Sequence, residues 1–250
     1  EPIHTWFDLG LFIDRLRDRP SRAGFKGSLP SFRKKLKKGG LAFITFHFTI
    51  DGITIEVEKY AKTFRNMFPG IPVYYIAGDI REVADELIHP DFHRKEIPEI
   101  DGFDNWPLYE DFFHTKLERG SKEYNRLIIE YWNDVLLIVE KLGSYIEENG
   151  ISLLYLINVC SNPGNASLSL ACVLISEYLG IPVINNNHDF YWEGGNRAVD
   201  ISTKGLKKGP RDFFFNNAHC SLNSMFYCFN FDIYQLNLFF YIFHFLSFFL

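Results

Sequence analysis

Three short polar stretches carry the residue types that could do chemistry on a small polar ligand, and each directly follows an apolar run. They are Asp51-Gly52, Asn162-Pro163-Gly164-Asn165, and the segment opened by His188-Asp189 that also holds Trp192, Glu193 and Asn196. His188 suits a hydrogen bond to a sugar hydroxyl or a phosphate, because its ordinary pKa lies near neutrality and either ring nitrogen can donate. Asp189, next to it, could orient the imidazole or fix the loop. Trp192 offers a face on which a sugar ring can stack, and Glu193 and Asn196 offer acceptors for hydroxyls. Gly52 stands just before a helix N-terminus, where unpaired N–H groups and the helix dipole favour an anion such as a diphosphate. Asn162, Gly164 and Asn165 are candidate substrate contacts in the middle loop. Plainer readings stand beside these. A lone histidine after a strand is more often structural, Asn165 has the chemistry of an N-cap, and Gly52 is also what a tight turn requires.

The elements that must position these stretches read as alternating strands and helices. Ile151 to Val159 is an almost unbroken apolar run, as expected of a strand covered on both faces in a parallel sheet. From Ala166 the apolar residues recur at helical spacing until Gly180, and Ile181 to Ile184 follows too closely to be anything but a second strand, parallel to the first. Earlier in the chain, Leu41 to Phe48 predicts a strand and Ile53, Val57, Ala61, Phe64 and Phe68 one stripe of a helix. Ile71 to Ala77 predicts another strand. After a short helix around Glu82 to Ile88, the segment to Gly120 reads as an irregular, Pro- and aromatic-rich insert. Ser121 to Asn149 carries the longest helical periodicity, with Gly150 just past its end. The order is that of an α/β domain with a doubly wound, mostly parallel, Rossmann-like sheet. Such sheets bind ligands beyond the carboxyl ends of their strands, where all three polar stretches fall.

Composition narrows the function classes. With 47% hydrophobic residues in 250, the chain can bury a substantial core, and a formal net charge of −5 gives no reason to expect a nucleic-acid partner. The four cysteines include no CxxC pair and no histidine at zinc-ligand spacing, so neither a disulfide framework nor a metal site is expected, and a reducing, cytoplasmic setting fits. GxGxxG, GxxxxGK[ST], GxSxG and HExxH patterns are all missing. Residues 1–40 read as an amphipathic helix with Trp6, Leu9, Phe12, Ile13 and Leu16 on one face, followed by a basic linker from Arg19 to Gly40. Residues 41–200 form the α/β domain. Residues 201–250 change character: no Lys or Arg follows Arg211, and Ile233 to Leu250 is eighteen residues without a formal charge. That tail is either a membrane contact through 233–250 or the product of a lost reading frame, and it is excluded from the fold. The start at Glu1 suggests a fragment or processed product.

The strand, Gly-containing turn and helix over Phe48 to Phe68, together with GIPVINNNHDFYWEGGNR, resemble the N-terminal lobe of GT-B glycosyltransferases. The nearest likeness is to the retaining, nucleotide-sugar-dependent group that includes sucrose-phosphate and glycogen synthases. The resemblance covers roughly residues 41–200. It departs at the turn, where Asp51-Gly52 stands in place of the paired glycines of many relatives. It implies an acceptor-side lobe in which His188 is catalytic and lies near the transferred sugar, with Gly52 near the donor phosphates. A nucleotide-sugar would be the donor substrate and a sugar the acceptor, with no further cofactor. A second lobe carrying a Glu-x7-Glu element would be supplied in cis or in trans, so this chain alone is expected not to turn over. The alternative is a non-catalytic carbohydrate-binding or partner-dependent lobe, anchored to a membrane by its tail.

Overall fold

In the computed structural model, residues 3–23, 27–113, 115, 117–118, 120–160 and 164–187 are described. Five strands form one sheet in which every pairing is parallel: β1 (Leu41–Ile44), β3 (Val73–Ala77), β5 (His93–Glu96), β6 (Leu153–Ile157) and β7 (Val183–Asn186). Their spatial order is β5-β3-β1-β6-β7. The chain therefore starts in the middle, winds outward to β5, crosses back, and winds outward again from β6. Two short strands, β2 (His47–Phe48) and β4 (Asp79–Ile80), pair in parallel just beyond the ends of β1 and β3.

The side-chain alternation of the strands sorts the core into two layers. Leu41, Phe43, Val73, Tyr75, Leu153 and Tyr155 face one side, where they meet α2 (Leu29–Gly39) and α3 (Gly52–Met67). Ala42, Ile44, Tyr74, Ile76, Leu154 and Leu156 face the other, against α1 (Trp6–Arg17), α5 (Lys122–Glu148) and α6 (Ala166–Leu179). A five-residue helix, α4 (Tyr109–Phe113), sits in the segment between β5 and α5. The result is an α/β/α sandwich, Rossmann-like in its strand order. Helix α5 has 27 residues, about 40 Å of rise, enough to carry the chain from the β5 edge back across the sheet. Its ends lie where the sequence signals put them, with Ser121 accepting from the Tyr124 N–H at the start and Gly150 in a left-handed conformation past the end. Helix α6 ends at Gly180, whose φ of 67° is the left-handed cap that glycine supplies without a Cβ penalty.

Four elements differ from the sequence expectation. The stretch Arg19 to Gly40, expected as a linker, contains α2. Its amphipathic pattern is short, but Phe32 and Leu36 are buried against the sheet while its lysines and arginines stay outside. The insert expected as irregular contains β5, whose sequence His-Arg-Lys-Glu is mostly exposed because it is the edge strand. The expected first strand, Leu41 to Phe48, is interrupted at Thr45 and Phe46, and the helix expected at Glu82 to Ile88 is a 3₁₀ turn over Glu82–Glu86.

Among the described residues no helix is long and apolar enough to cross a membrane. The tail 201–250, including 233–250, lies outside them.

Leu36 decides between linker and domain element, since it is completely buried. Leu36→Ala should lower unfolding free energy by about 2–5 kcal/mol in urea titration. A change within about 0.5 kcal/mol, as at an exposed linker position, would detach α2 from the fold.

Candidate functional site

The reversal of winding direction falls between β1 and β6, the position at which an open α/β sheet has its crevice, beyond the carboxyl ends of the strands. Thr45, Phe46 and His47 leave β1, and Asn158, Val159 and Cys160 leave β6. A third segment, Ile97 to Trp106, arrives from the end of β5 and is fastened over the same edge. It contains two 3₁₀ turns, Pro98–Ile100 and Phe103–Asn105.

Asn165 does the fastening. It is fully buried at the N-cap of α6, where its Oδ1 accepts from the Leu168 N–H at 2.9 Å. Its Nδ2 donates to the carbonyls of Asp101 at 2.8 Å and Glu99 at 3.1 Å. One side chain thus caps a helix and holds a loop that arrives from the opposite half of the sheet. The neighbouring Phe103 N–H donates to the Gly164 carbonyl at 2.7 Å. Gly164 has no room for a side chain: a Cβ there would come within 2.9 to 3.1 Å of the Phe103 and Phe46 rings. The plainer reading of Asn165 as a cap therefore describes its contacts, and both of its amide hydrogens are spent inside the protein.

The only non-glycine residues at positive φ among those described, Phe103 and Asn158, both at 56°, flank this crevice. Asn tolerates that region; Phe does so at a cost, and the hydrogen bond to Gly164 and the packing of its ring on Phe46 hold it there.

The loop so held presents Asp101. Its Oδ1 accepts from the Gly102 N–H at 2.7 Å and its Oδ2 from the Asn105 amide at 2.9 Å. The same Oδ1 lies 3.6 Å from Nδ1 of His47, with the carboxylate 11% and the imidazole 29% exposed. Sequence reasoning did not single out either residue. The loop is pinned again from below, where the Trp106 indole donates to Asp134 on α5 at 2.8 Å and Lys141 pairs with Glu99. Burial raises the pKa of Asp134; the hydrogen bond from the Trp106 indole opposes the rise and the nearby Glu99 adds to it.

Gly52 is the first residue of α3 and open to solvent, and a Cβ there would meet nothing within 4 Å. The carboxylate of Asp51 already caps this helix end, accepting from the Thr54 N–H at 2.8 Å. An anion arriving beside Gly52 would face that negative charge. Asn162, His188, Asp189, Trp192 and Glu193 lie outside the described residues. The chain enters that last segment directly from β7, at the same carboxyl edge, through Asn185, Asn186 and Asn187.

Nucleophilic and metal chemistry find little support here. Among the described residues no cluster of His, Cys, Asp or Glu could hold a metal ion. Cys160 and Cys172 are buried, and burial raises both thiols, Cys172 to about 12, so neither is a ready thiolate. An open groove of about 630 Å³ lies at the far end of α3, lined by Lys62, Arg65, Asn66, Pro69, Gly70 and His89. It is remote from the strand ends, and its cations already face acids: Lys62 lies 3.7 Å from Glu58 and Arg65 3.9 Å from Asp91. We therefore place the site at the crevice and not in the groove. No family model matches the chain, and neither a curated protein nor a solved structure matches it.

Two outcomes test this architecture. Asn165→Ala removes the cap and leaves two buried carbonyls unpaired, so it should cost about 2–4 kcal/mol in denaturant titration and speed amide exchange over residues 99–106. A loss below about 0.5 kcal/mol would mean that the loop is held by other contacts. Asp134 gives a pH signature. Its folded-state pKa is raised, so its contribution to stability is fully present below the usual carboxylate value and is lost as pH rises through the folded value. Asp134→Asn keeps the acceptor for Trp106 without the charge. It should be more stable than the parent at pH 7, with the advantage vanishing in acid; an advantage independent of pH would refute the assignment.

Proposed function

We propose that this chain is the acceptor-side lobe of a nucleotide-sugar-dependent glycosyltransferase of the GT-B type, binding a hydroxyl-rich ligand in the crevice between the ends of β1 and β6. The observation that carries the reading is the chemistry of that edge within a Rossmann-like strand order. Its described polar groups are the His47 imidazole, asparagine amides, the carboxylates of Asp51 and Asp101, and Asp79 paired with Arg81 at 3.1 Å. Carboxylates and amides accept hydrogen bonds from sugar hydroxyls, and the carboxylates repel a bare diphosphate. A donor's phosphates would therefore be held mainly by a second lobe.

Glycosyl transfer suits such a division. The bond between the anomeric carbon and the phosphate oxygen breaks, the diphosphate leaves with the electron pair, and the acceptor oxygen forms the new bond as its hydroxyl proton passes to the departing diphosphate. Positive charge develops on the sugar and negative charge on the leaving group, so the reaction calls for positioning and electrostatic stabilisation more than for a protein nucleophile. One lobe supplies the acceptor half of that positioning. In this reading His188 would act on the transferred sugar and Asp189, Trp192 and Glu193 would be substrate contacts.

The test is binding and turnover of the 250-residue protein with free hexoses, hexose phosphates, and UDP-, ADP- and GDP-linked sugars. Titration followed by NMR should reveal weak binding of a free sugar, about millimolar, with shifts confined to the strand ends, and radiolabelled donor should give no multiple-turnover product. Silence toward every sugar would end the carbohydrate reading, and sustained transfer by this chain alone would end the half-site reading.

A further inference from the structure

We infer that His47 and Asp101 form an oriented pair in the crevice, in which the carboxylate holds the imidazole as its Nδ1–H tautomer and leaves Nε2 to accept a hydrogen bond from a hydroxyl of a neutral sugar. The inference rests on the carbohydrate reading for its ligand, but the pair itself stands on geometry. Nδ1 of His47 is buried, has no hydrogen-bond partner, and has the Asp101 carboxylate 3.6 Å away. That is longer than a formed hydrogen bond, so the two groups are adjacent and not yet bonded in this structure. Catalytic and binding hydrogen bonds are often loose without ligand and tighten when it arrives. Since Nδ1 is inaccessible while the side chain is 29% exposed, the exposure belongs to the rest of the ring.

Asp101 cannot swing away to serve another partner. Its two oxygens are held by the Gly102 N–H and the Asn105 amide, its carbonyl by Asn165, and its N–H donates to the Pro98 carbonyl at 3.2 Å. Gly78 lets this loop approach closely, for a Cβ there would come within 2.4 Å of Asp101 backbone and side-chain atoms. His47 is equally constrained: it belongs to β2, in register with Asp79 on β4, and lies between the buried Phe46 and Phe48. A carboxylate fixed behind one nitrogen of a histidine determines which nitrogen carries the proton and how the ring is aimed. The remaining nitrogen is then an acceptor with a set direction. A sugar hydroxyl can donate to it without bringing charge, whereas an inorganic anion meets the adjacent carboxylate of Asp101.

Asp101 is thus a positioning residue, and His47 the group that would touch the ligand. The decisive experiment is long-range ¹H–¹⁵N NMR of the histidine rings in the 250-residue protein at pH 8, in the parent, Asp101→Asn and His47→Gln. His47 should appear as the Nδ1–H tautomer in the parent and shift toward the Nε2–H form in Asp101→Asn, a change that a merely structural aspartate would not produce. An Nε2–H tautomer in the parent, or one indifferent to Asp101→Asn, would overturn the pair. In a second arm D-glucose and inorganic phosphate are titrated separately. Glucose should move the His47 ring nitrogens and phosphate should not, and His47→Gln should weaken glucose binding about tenfold with its fold intact by circular dichroism. If glucose perturbs the strand ends of parent and His47→Gln alike, the hydroxyl contact is refuted while the carbohydrate reading survives. If glucose perturbs nothing while the tautomer behaves as stated, the carbohydrate contact fails and the oriented pair remains.

Discussion

The amide of Asn165 is the constraint on which the geometry of the crevice depends. Its three hydrogen bonds join the N-terminus of α6 to the backbone of the segment that follows β5. These two pieces of chain belong to opposite halves of the sheet, and a doubly wound topology by itself gives them no reason to touch. Burying the amide makes each of its bonds expensive to leave unmade, so loop and helix end are held as one unit. Asp101 takes its place from that unit, and His47 then has the carboxylate behind it.

Close packing supports the same junction. Gly164 lies against the rings of Phe46 and Phe103, and Gly102 against Phe46, so the two loops approach more nearly than any side chain would permit. Phe103 is forced into the left-handed region as a result. Strain of this kind persists only where surrounding contacts over-determine it, which the hydrogen bond to Gly164 and the indole–Asp134 bond on the far side accomplish. Asn158, the other residue in that region, turns the chain immediately after β6 while its N–H still donates to Asn186 on β7. The carboxyl edge is therefore a stiff rim, with polar groups fixed by backbone, not by long flexible side chains.

How much of this could be read beforehand follows from the kinds of interaction involved. The buried strands and the amphipathic helices announce themselves through local periodicity, and α5 and α6 run almost residue for residue where their caps put them. The edge strand β5 is hidden because an edge needs charge for protection, so His93 to Glu96 carries no apolar signal. Helix α2 is hidden because two apolar residues, Phe32 and Leu36, suffice to anchor it and the lysines around them read as solvated chain. The site is harder still. Asn165 carried the N-cap signal, but its bonds to Glu99 and Asp101 join residues far apart in sequence, and no spacing rule connects them. His47 and Asp101 share that difficulty; the one local hint was a histidine placed within three residues of a buried strand's carboxyl end.

The electrostatics of the rim turn on how the first helix begins. A phosphate-binding Rossmann edge usually presents free N–H groups at the first helix, often after glycines that let the backbone approach the anion. Here the corresponding helix, α3, begins with an aspartate that has already taken the Thr54 N–H. Its carboxylate stabilises the helix through the dipole and at the same time opposes an incoming anion. Asp101 adds a carboxylate at this edge, whereas that of Asp79 is paired with Arg81 at 3.1 Å, so a guanidinium stands beside the acceptors. The Asp51 cap thus sets the start of α3 apart from a phosphate-binding helix end, because the charge it presents there is negative.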